Sequence, residues 1–194
     1  MAPPTLVLTG TPCSGKSTAA AALAGGTDPT AGPPTALVDL DAVRIQVKSG
    51  FRLPMAIIPP PDETLAQWQV AVDICGDMAR RYAAARYTCV VDAPGIYPDG
   101  GMPWEPYTHA AWRRSLDGVD WRLVVLQPDV ELICERAVAR QGVRQPPEDI
   151  LRAIHAAMEG WRGAEGVTVL DTTNLSVEET LAALDAVRAR APGR

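Results

Sequence analysis

One octapeptide constrains this chain more than any other part of it. Gly10-Thr11-Pro12-Cys13-Ser14-Gly15-Lys16-Ser17 fits the pattern G-x-x-x-x-G-K-[ST] in full. A short apolar run, Thr5-Leu6-Val7-Leu8-Thr9, precedes it, and an alanine-rich stretch that favours helix, Ala19 to Ala24, follows it. Strand, glycine-rich turn and helix in that order are the context in which this pattern cradles phosphate. The glycines let the backbone wrap, so that successive N–H groups point at phosphate oxygens, and the next helix adds its positive N-terminal end. Lys16 then reaches the β- and γ-phosphates and the Ser17 hydroxyl ligates Mg²⁺. With Thr11, Pro12, Cys13, Ser14 and the following Thr18, these residues form a candidate site for ATP and Mg²⁺.

The rest of the chain repeats the alternation of strand and helix. Ala36–Leu40, Thr88–Asp92, Arg122–Leu126 and Val167–Leu170 are continuous apolar runs, as expected of strands buried on both faces of a parallel sheet. Between them, apolar residues recur every three or four positions. One such pattern runs from Leu65 to Tyr82 behind an expected N-cap at Asp62, one from Val130 to Val138, and one from Leu151 to Trp161 behind Pro146-Pro147. A last helix opens on a capping box of Ser176 and Glu179. The pattern predicts an α/β fold with a five-stranded, mainly parallel sheet flanked by helices. At 194 residues the chain has the length of one domain, 1–194. Trp68, Trp112, Trp121 and Trp161 are expected in its core.

Composition narrows the partners. A net charge of -5 makes the chain a poor generic partner for nucleic acid or an anionic membrane, so any phosphate must meet a local cluster of donors. No run reaches the ~20 apolar residues of a membrane span, and no basic stretch followed by an apolar one opens the chain. Cys13, Cys75, Cys89 and Cys134 are scattered without a C-x-x-C pair, which reads as reduced thiols in a cytoplasmic protein.

A phosphate site does not say what becomes of the phosphate. A GTPase switch, an ATP-driven machine and a small kinase all use one. Asp92-Ala93-Pro94-Gly95 matches the D-x-x-G of GTPases, but Lys16 and Lys48 are the only lysines, so N-K-x-D for guanine occurs nowhere. Asp92 has no acidic neighbour of the kind that ends a Walker B strand, and 194 residues leave no room for a lever domain. At the end of its strand Asp92 is placed to hold Mg²⁺ through water, or to cap a turn. In Asp39-Leu40-Asp41-Ala42-Val43-Arg44 two carboxylates end the second strand, where a hydroxyl acceptor would need a base; Asp41 is equally suited to cap the next helix.

This segment, the phosphate loop and the arginines after the fourth strand resemble the small P-loop kinases. The similarity is greatest to the chloramphenicol phosphotransferase and zeta-toxin branch, with gluconate kinase and adenylate kinase more distant. The resemblance implies that Asp41 is the base, with Asp39 second. It further implies a short lid at about 136–147, whose Arg136, Arg140 and Arg144 neutralise charge on the transferred group. Thr173 and Asn174, after the fifth strand, would lie beside the adenine ring. Two proline-rich segments, Phe51–Pro61 and Ala93–Tyr107, fall outside the alternation and belong at the sheet rim where ligands bind. They suggest a substrate wall of Arg44, Phe51, Tyr97, Trp104 and Tyr107, with Asp39 beside it and Asp99 and Glu105 nearby. The expected activity is transfer of the γ-phosphoryl group of ATP, with Mg²⁺, to a hydroxyl of a small molecule such as an antibiotic-like or ring-bearing alcohol. A nucleotide or nucleoside kinase and a non-catalytic nucleotide-binding module are the alternatives. Monomer and dimer are equally compatible with the sequence.

Overall fold

The computed structural model describes residues 3–25, 34–53, 59–101, 104–140 and 146–190. Five strands, β1 (Thr5–Gly10), β2 (Thr35–Asp39), β3 (Thr88–Asp92), β4 (Trp121–Leu126) and β5 (Val167–Leu170), form one parallel sheet in the order β2-β3-β1-β4-β5. The phosphate-loop strand β1 is central, and β3, which ends in Asp92, is its neighbour, with Leu8 opposite Asp92. On the far side of β3, Asp39 lies opposite Asp92, so the two carboxylates end adjacent strands.

The apolar runs are continuous because both sheet faces are covered. Val7, Val38, Val91 and Val125 point into one core with Trp68, Val72, Cys75, Trp112 and Trp161. The alternate residues Leu6, Leu8, Val90 and Val124 point into the other, against Ala20, Leu184 and Val187. The first core is built by α3 (Asp62–Ala84), α4 (His109–Ser115) and the end of α6 (Glu148–Met158); the second lies under α1 (Lys16–Leu23) and α7 (Val177–Ala189). Two further helices, α2 (Leu40–Arg44) and α5 (Val130–Ala139), follow β2 and β4 directly. Burying a large apolar side chain stabilises by about 1.5–3 kcal/mol, so the tryptophan-rich core is the heavier of the two. Among the described residues no helix is long and apolar enough to cross a membrane.

Several boundaries differ from expectation. β2 stops at Asp39, and Leu40 already belongs to α2. The cap of α3 is Pro61, whose carbonyl accepts from Thr64 and Leu65 at 2.9 and 3.2 Å; Asp62 is the first helical residue and there complements the helix dipole. The expected capping box forms: Ser176 N donates to Glu179 Oε2 at 2.8 Å and Glu179 N to Ser176 Oγ at 3.1 Å. Trp161 lies beyond α6 in a 3-10 turn, its indole N–H donating to the Ile96 carbonyl at 3.1 Å.

Candidate functional site

At the carboxyl end of β1 the chain turns through backbone that only special residues adopt easily. Gly10 has φ +146, and a side chain there would run into the Leu126 carbonyl at the end of β4. Gly15, at φ +93, is the N-cap residue of α1. Between them Cys13 takes a left-handed φ of 67, a conformation that costs a non-glycine residue on the order of 1–3 kcal/mol. Ser14 N donates to the Thr11 carbonyl at 3.1 Å and closes the loop. The Thr11 and Ser14 hydroxyls are buried without partners among the described residues.

A cavity of about 510 Å³ opens above this loop. Its floor includes Gly15, Lys16, Ser17 and Thr18, and Arg136 and Arg140 stand over it. Arg136 Nη1 approaches the Cys13 carbonyl at 3.5 Å, so α5 leans directly onto the phosphate loop. The four-residue spacing of Arg136 and Arg140 would put them on one helix face, but α5 ends at Ala139 and Arg140 is extended. Arg140 nevertheless faces the same cavity. Arg144 lies outside the described residues, as do residues 141–145 of the expected lid.

The far end of the cavity is made by Thr172, Leu175, Val177 and Thr180. Thr173 and Asn174, expected here, are not part of it. Thr173 is consumed by the fold: its Oγ1 accepts from Asp129 N at 2.7 Å and donates to Asp171 Oδ1 at 2.5 Å, fastening this loop to the cap of α5. Asn174 is exposed. Val177, the first residue of α7, was not singled out from sequence, and it lines this end of the cavity at 47% exposure.

Asp92 is 4% exposed, and its Oδ1 has no hydrogen-bond partner. Burial raises its pKa above the ordinary carboxylate value. Lys16 and a hydrogen bond with Ser17 act against the rise; the Asp39 and Asp41 carboxylates add to it. A desolvated carboxylate with an unused oxygen, next to a serine hydroxyl, is a fitting place for a hard divalent cation. Among the described residues no three His, Cys, Asp or Glu side chains gather into a metal cluster. Ser17 and Asp92 would therefore hold Mg²⁺ together with phosphate oxygens and water.

At the end of β2 the division of labour is clear. Asp39 caps α2, its Oδ1 accepting from Ala42 N at 3.0 Å. The capping role considered for Asp41 falls to Asp39 because pairing with β3 carries the strand through Asp39. Asp41 is left in the first turn, 61% exposed, with Arg44 Nη1 donating to its Oδ1 at 2.9 Å. Arg44 is 7% exposed. Its guanidinium lies 4.5 Å from the Trp68 ring centroid and 5.3 Å from that of Phe51, and Nη2 donates to the Arg52 carbonyl at 3.2 Å.

The tyrosines of the expected aromatic wall are buried. Tyr97 and Tyr107 are core residues: Tyr97 N donates to the Tyr107 carbonyl at 2.8 Å and His109 N to the Tyr97 carbonyl at 3.1 Å, which draws the loop after β3 inward. Trp104 packs half-buried against the same core. Trp68, read from sequence as core alone, stacks on Tyr107 at 4.6 Å between centroids and supports Arg44. Gly95, at φ +74, lies over both rings; a Cβ there would be 3.4 Å from each. Asp99 pairs with Arg113 at 2.9 Å and Glu105 with Arg114 at 2.6 Å, so neither carboxylate waits for a ligand.

Sheet order, phosphate loop and the carboxylates at the ends of β2 and β3 define a P-loop protein with a kinase-like fold. The chain belongs to the family described as AAA domain, whose model matches residues 6–164. No curated protein matches it. Among solved structures it is similar to a sugar kinase from Janibacter sp. HTCC2649, at a TM-score of 0.63 and 19% identity over 96% of both chains. It is also similar to a gluconokinase from Sinorhizobium meliloti 1021, at a TM-score of 0.59 and 20% identity, over 96% of this chain and 94% of the other. A Thermus thermophilus protein, TT1252, aligns with a TM-score of 0.56 and 19% identity over 98% of this chain and all of its own. At these identities the likeness is one of fold.

Proposed function

We propose that the protein is an ATP- and Mg²⁺-dependent kinase that phosphorylates a hydroxyl group of a small molecule. The observation that carries this reading is Asp41: a solvent-facing carboxylate, relieved of capping by Asp39 and fixed by a buried arginine, at the rim that holds Lys16 and Asp92. A protein that only bound nucleotide would have no use for it. Two of the structural neighbours are named as a sugar kinase and a gluconokinase, which supports an alcohol acceptor.

In this reading the backbone N–H groups of the phosphate loop and Lys16 hold the triphosphate. Ser17 and Asp92 would hold Mg²⁺, which when bound would offset negative charge on the phosphates. Asp41 aligns the acceptor hydroxyl and takes its proton as the new bond from oxygen to the γ-phosphorus forms. The bond from the γ-phosphorus to the bridging oxygen breaks, and ADP leaves with that electron pair. Arg136 and Arg140, above the cavity, offset the negative charge on the transferred group.

Asp41→Asn keeps the shape and removes the base. It should lower kcat by roughly 10²–10⁴-fold, the usual contribution of general-base catalysis, with ATP affinity and thermal stability nearly intact. Full kcat in this variant, measured by ADP release with a phosphorylated acceptor, would remove Asp41 as the base.

A further inference from the structure

Within the tryptophan-rich core three hydrogen-bond donors, Trp112 Nε1, Trp68 Nε1 and Tyr107 Oη, have no partner among the described residues, and the last two belong to rings in contact. The Trp68 indole Nε1 and the Tyr107 hydroxyl are both buried without partners, in residues only 3% and 1% exposed. They belong to one stacked pair, and the Arg44 guanidinium lies against that pair beside Asp41. Burial pushes the Tyr107 hydroxyl up to about 12, with Arg44 acting against the rise, so it keeps its proton throughout the neutral range. Buried donors are nearly always satisfied, and two orphans in contact with one another need a reason.

Arg44, which lies over the Trp68 ring, is itself covered by a strap. Phe51 lies on Arg44 from the segment Gly50–Arg52, which Arg44 Nη2 holds by the Arg52 carbonyl at 3.2 Å and which is fastened to α3 through exposed groups. Gln67 Nε2 donates to the Gly50 carbonyl at 2.7 Å, Arg52 N donates to Gln67 Oε1 at 3.0 Å, and Arg52 pairs with Glu63 at 3.0 Å. Exposed hydrogen bonds exchange for water at little cost. Gly50, at φ +71 with open space around it, is suited to act as the hinge.

Charge decides the chemical class. An aminated acceptor would seek the aromatic faces or a free carboxylate. The ring of Trp68 already carries a cation from the chain itself, and Asp99 and Glu105 are paired with arginines. What the site keeps unsatisfied is donors. We infer that the acceptor is a polyhydroxylated compound, a sugar or polyol, bound under the Gly50–Arg52 strap with its oxygens on Trp68 Nε1 and Tyr107 Oη. This rests on the kinase reading above and adds the class of its acceptor.

The test uses the full chain with Mg-ATP, a panel of sugars and polyols, and a panel of amino alcohols of matched size. Trp68→Phe and Tyr107→Phe keep the rings and delete the donors. A sugar or polyol should be phosphorylated in preference to the amino alcohols. Each variant should raise the KM for that acceptor about tenfold while the KM for ATP changes by less than twofold. The melting temperature should hold or rise, since an unsatisfied buried group is removed; a merely structural role would lower it and leave the acceptor KM alone. An amino alcohol as best acceptor, or unchanged acceptor KM in both variants, overturns the inference and leaves the kinase reading standing. If the wild type phosphorylates nothing, calorimetry of the same sugars with Mg-ADP present separates the two ideas. Binding weakened in both variants keeps this site and sinks the kinase, whereas no sugar binding sinks the inference as well.

Discussion

The burial of Asp92 has a consequence for stability as well as for cation binding. Its carboxyl is held above the ordinary value, so in the window between the unfolded and folded pKa the folded chain binds more proton than the unfolded one. This group's contribution is therefore most favourable below the unfolded value and is lost as pH rises through the folded one. Asp92→Asn should remove that dependence and stabilise the free protein at neutral pH by on the order of 1 kcal/mol, about 2–4 °C in Tm. The same variant should weaken the Mg²⁺-dependent part of ATP affinity, and calorimetry with and without Mg-ATP reads both effects. Lys16 is the complementary case, a loop cation lining the cavity. Lys16→Ala should abolish transfer and most ATP binding while the circular dichroism spectrum stays native. Gly10 to Ser17 and Asp92 were legible in the sequence because their chemistry depends on local spacing and on the end of one apolar run. The roles of Asp39 and Asp41 were less so. Which of them caps α2 depends on where β2 stops, and pairing with β3 sets that stop.

Among the elements, those with a local signal came out as read and those held by distant contacts did not. β3 and β5 begin and end where their apolar runs do. The box at the start of α7 closes as its spacing requires; Ser176→Ala should lower stability by about 1 kcal/mol, a fall of about 2–4 °C measurable by calorimetry, with little effect on activity. The loop after β3 carried no such signal. Its course is set by the bridge between Tyr97 and Thr108 and by the Trp161 indole on the Ile96 carbonyl, partners far apart in sequence. For that reason an exposed tyrosine wall was expected where the protein has a tyrosine-lined core. The β5–α7 turn was misjudged for a related cause: Thr173 has the composition of a ligand-binding turn, but its hydroxyl is needed 44 positions away at Asp129.

Taken whole, the molecule has a phosphate-loop cavity whose far end is Thr172, Leu175, Val177 and Thr180, and among the described residues its lining has no carboxylate to read guanine. ATP should be bound at least as well as GTP; calorimetry finding GTP tenfold tighter, about 1.4 kcal/mol, would contradict the kinase class. The strand order lay beyond the sequence, because nothing local records which strands meet. That order separates two tasks. The elements that would hold nucleotide, β4 with α5 and β5 with α7, lie on one side of β1, and those that would meet the acceptor, β2 with α2 and β3 with its loop, lie on the other. A lineage could therefore rewrite residues 42–53 and 93–107 to suit a new alcohol while Asp41 and the phosphate-handling half stayed as they are. Selection for a new acceptor and retention of ATP would act on separate stretches of the gene.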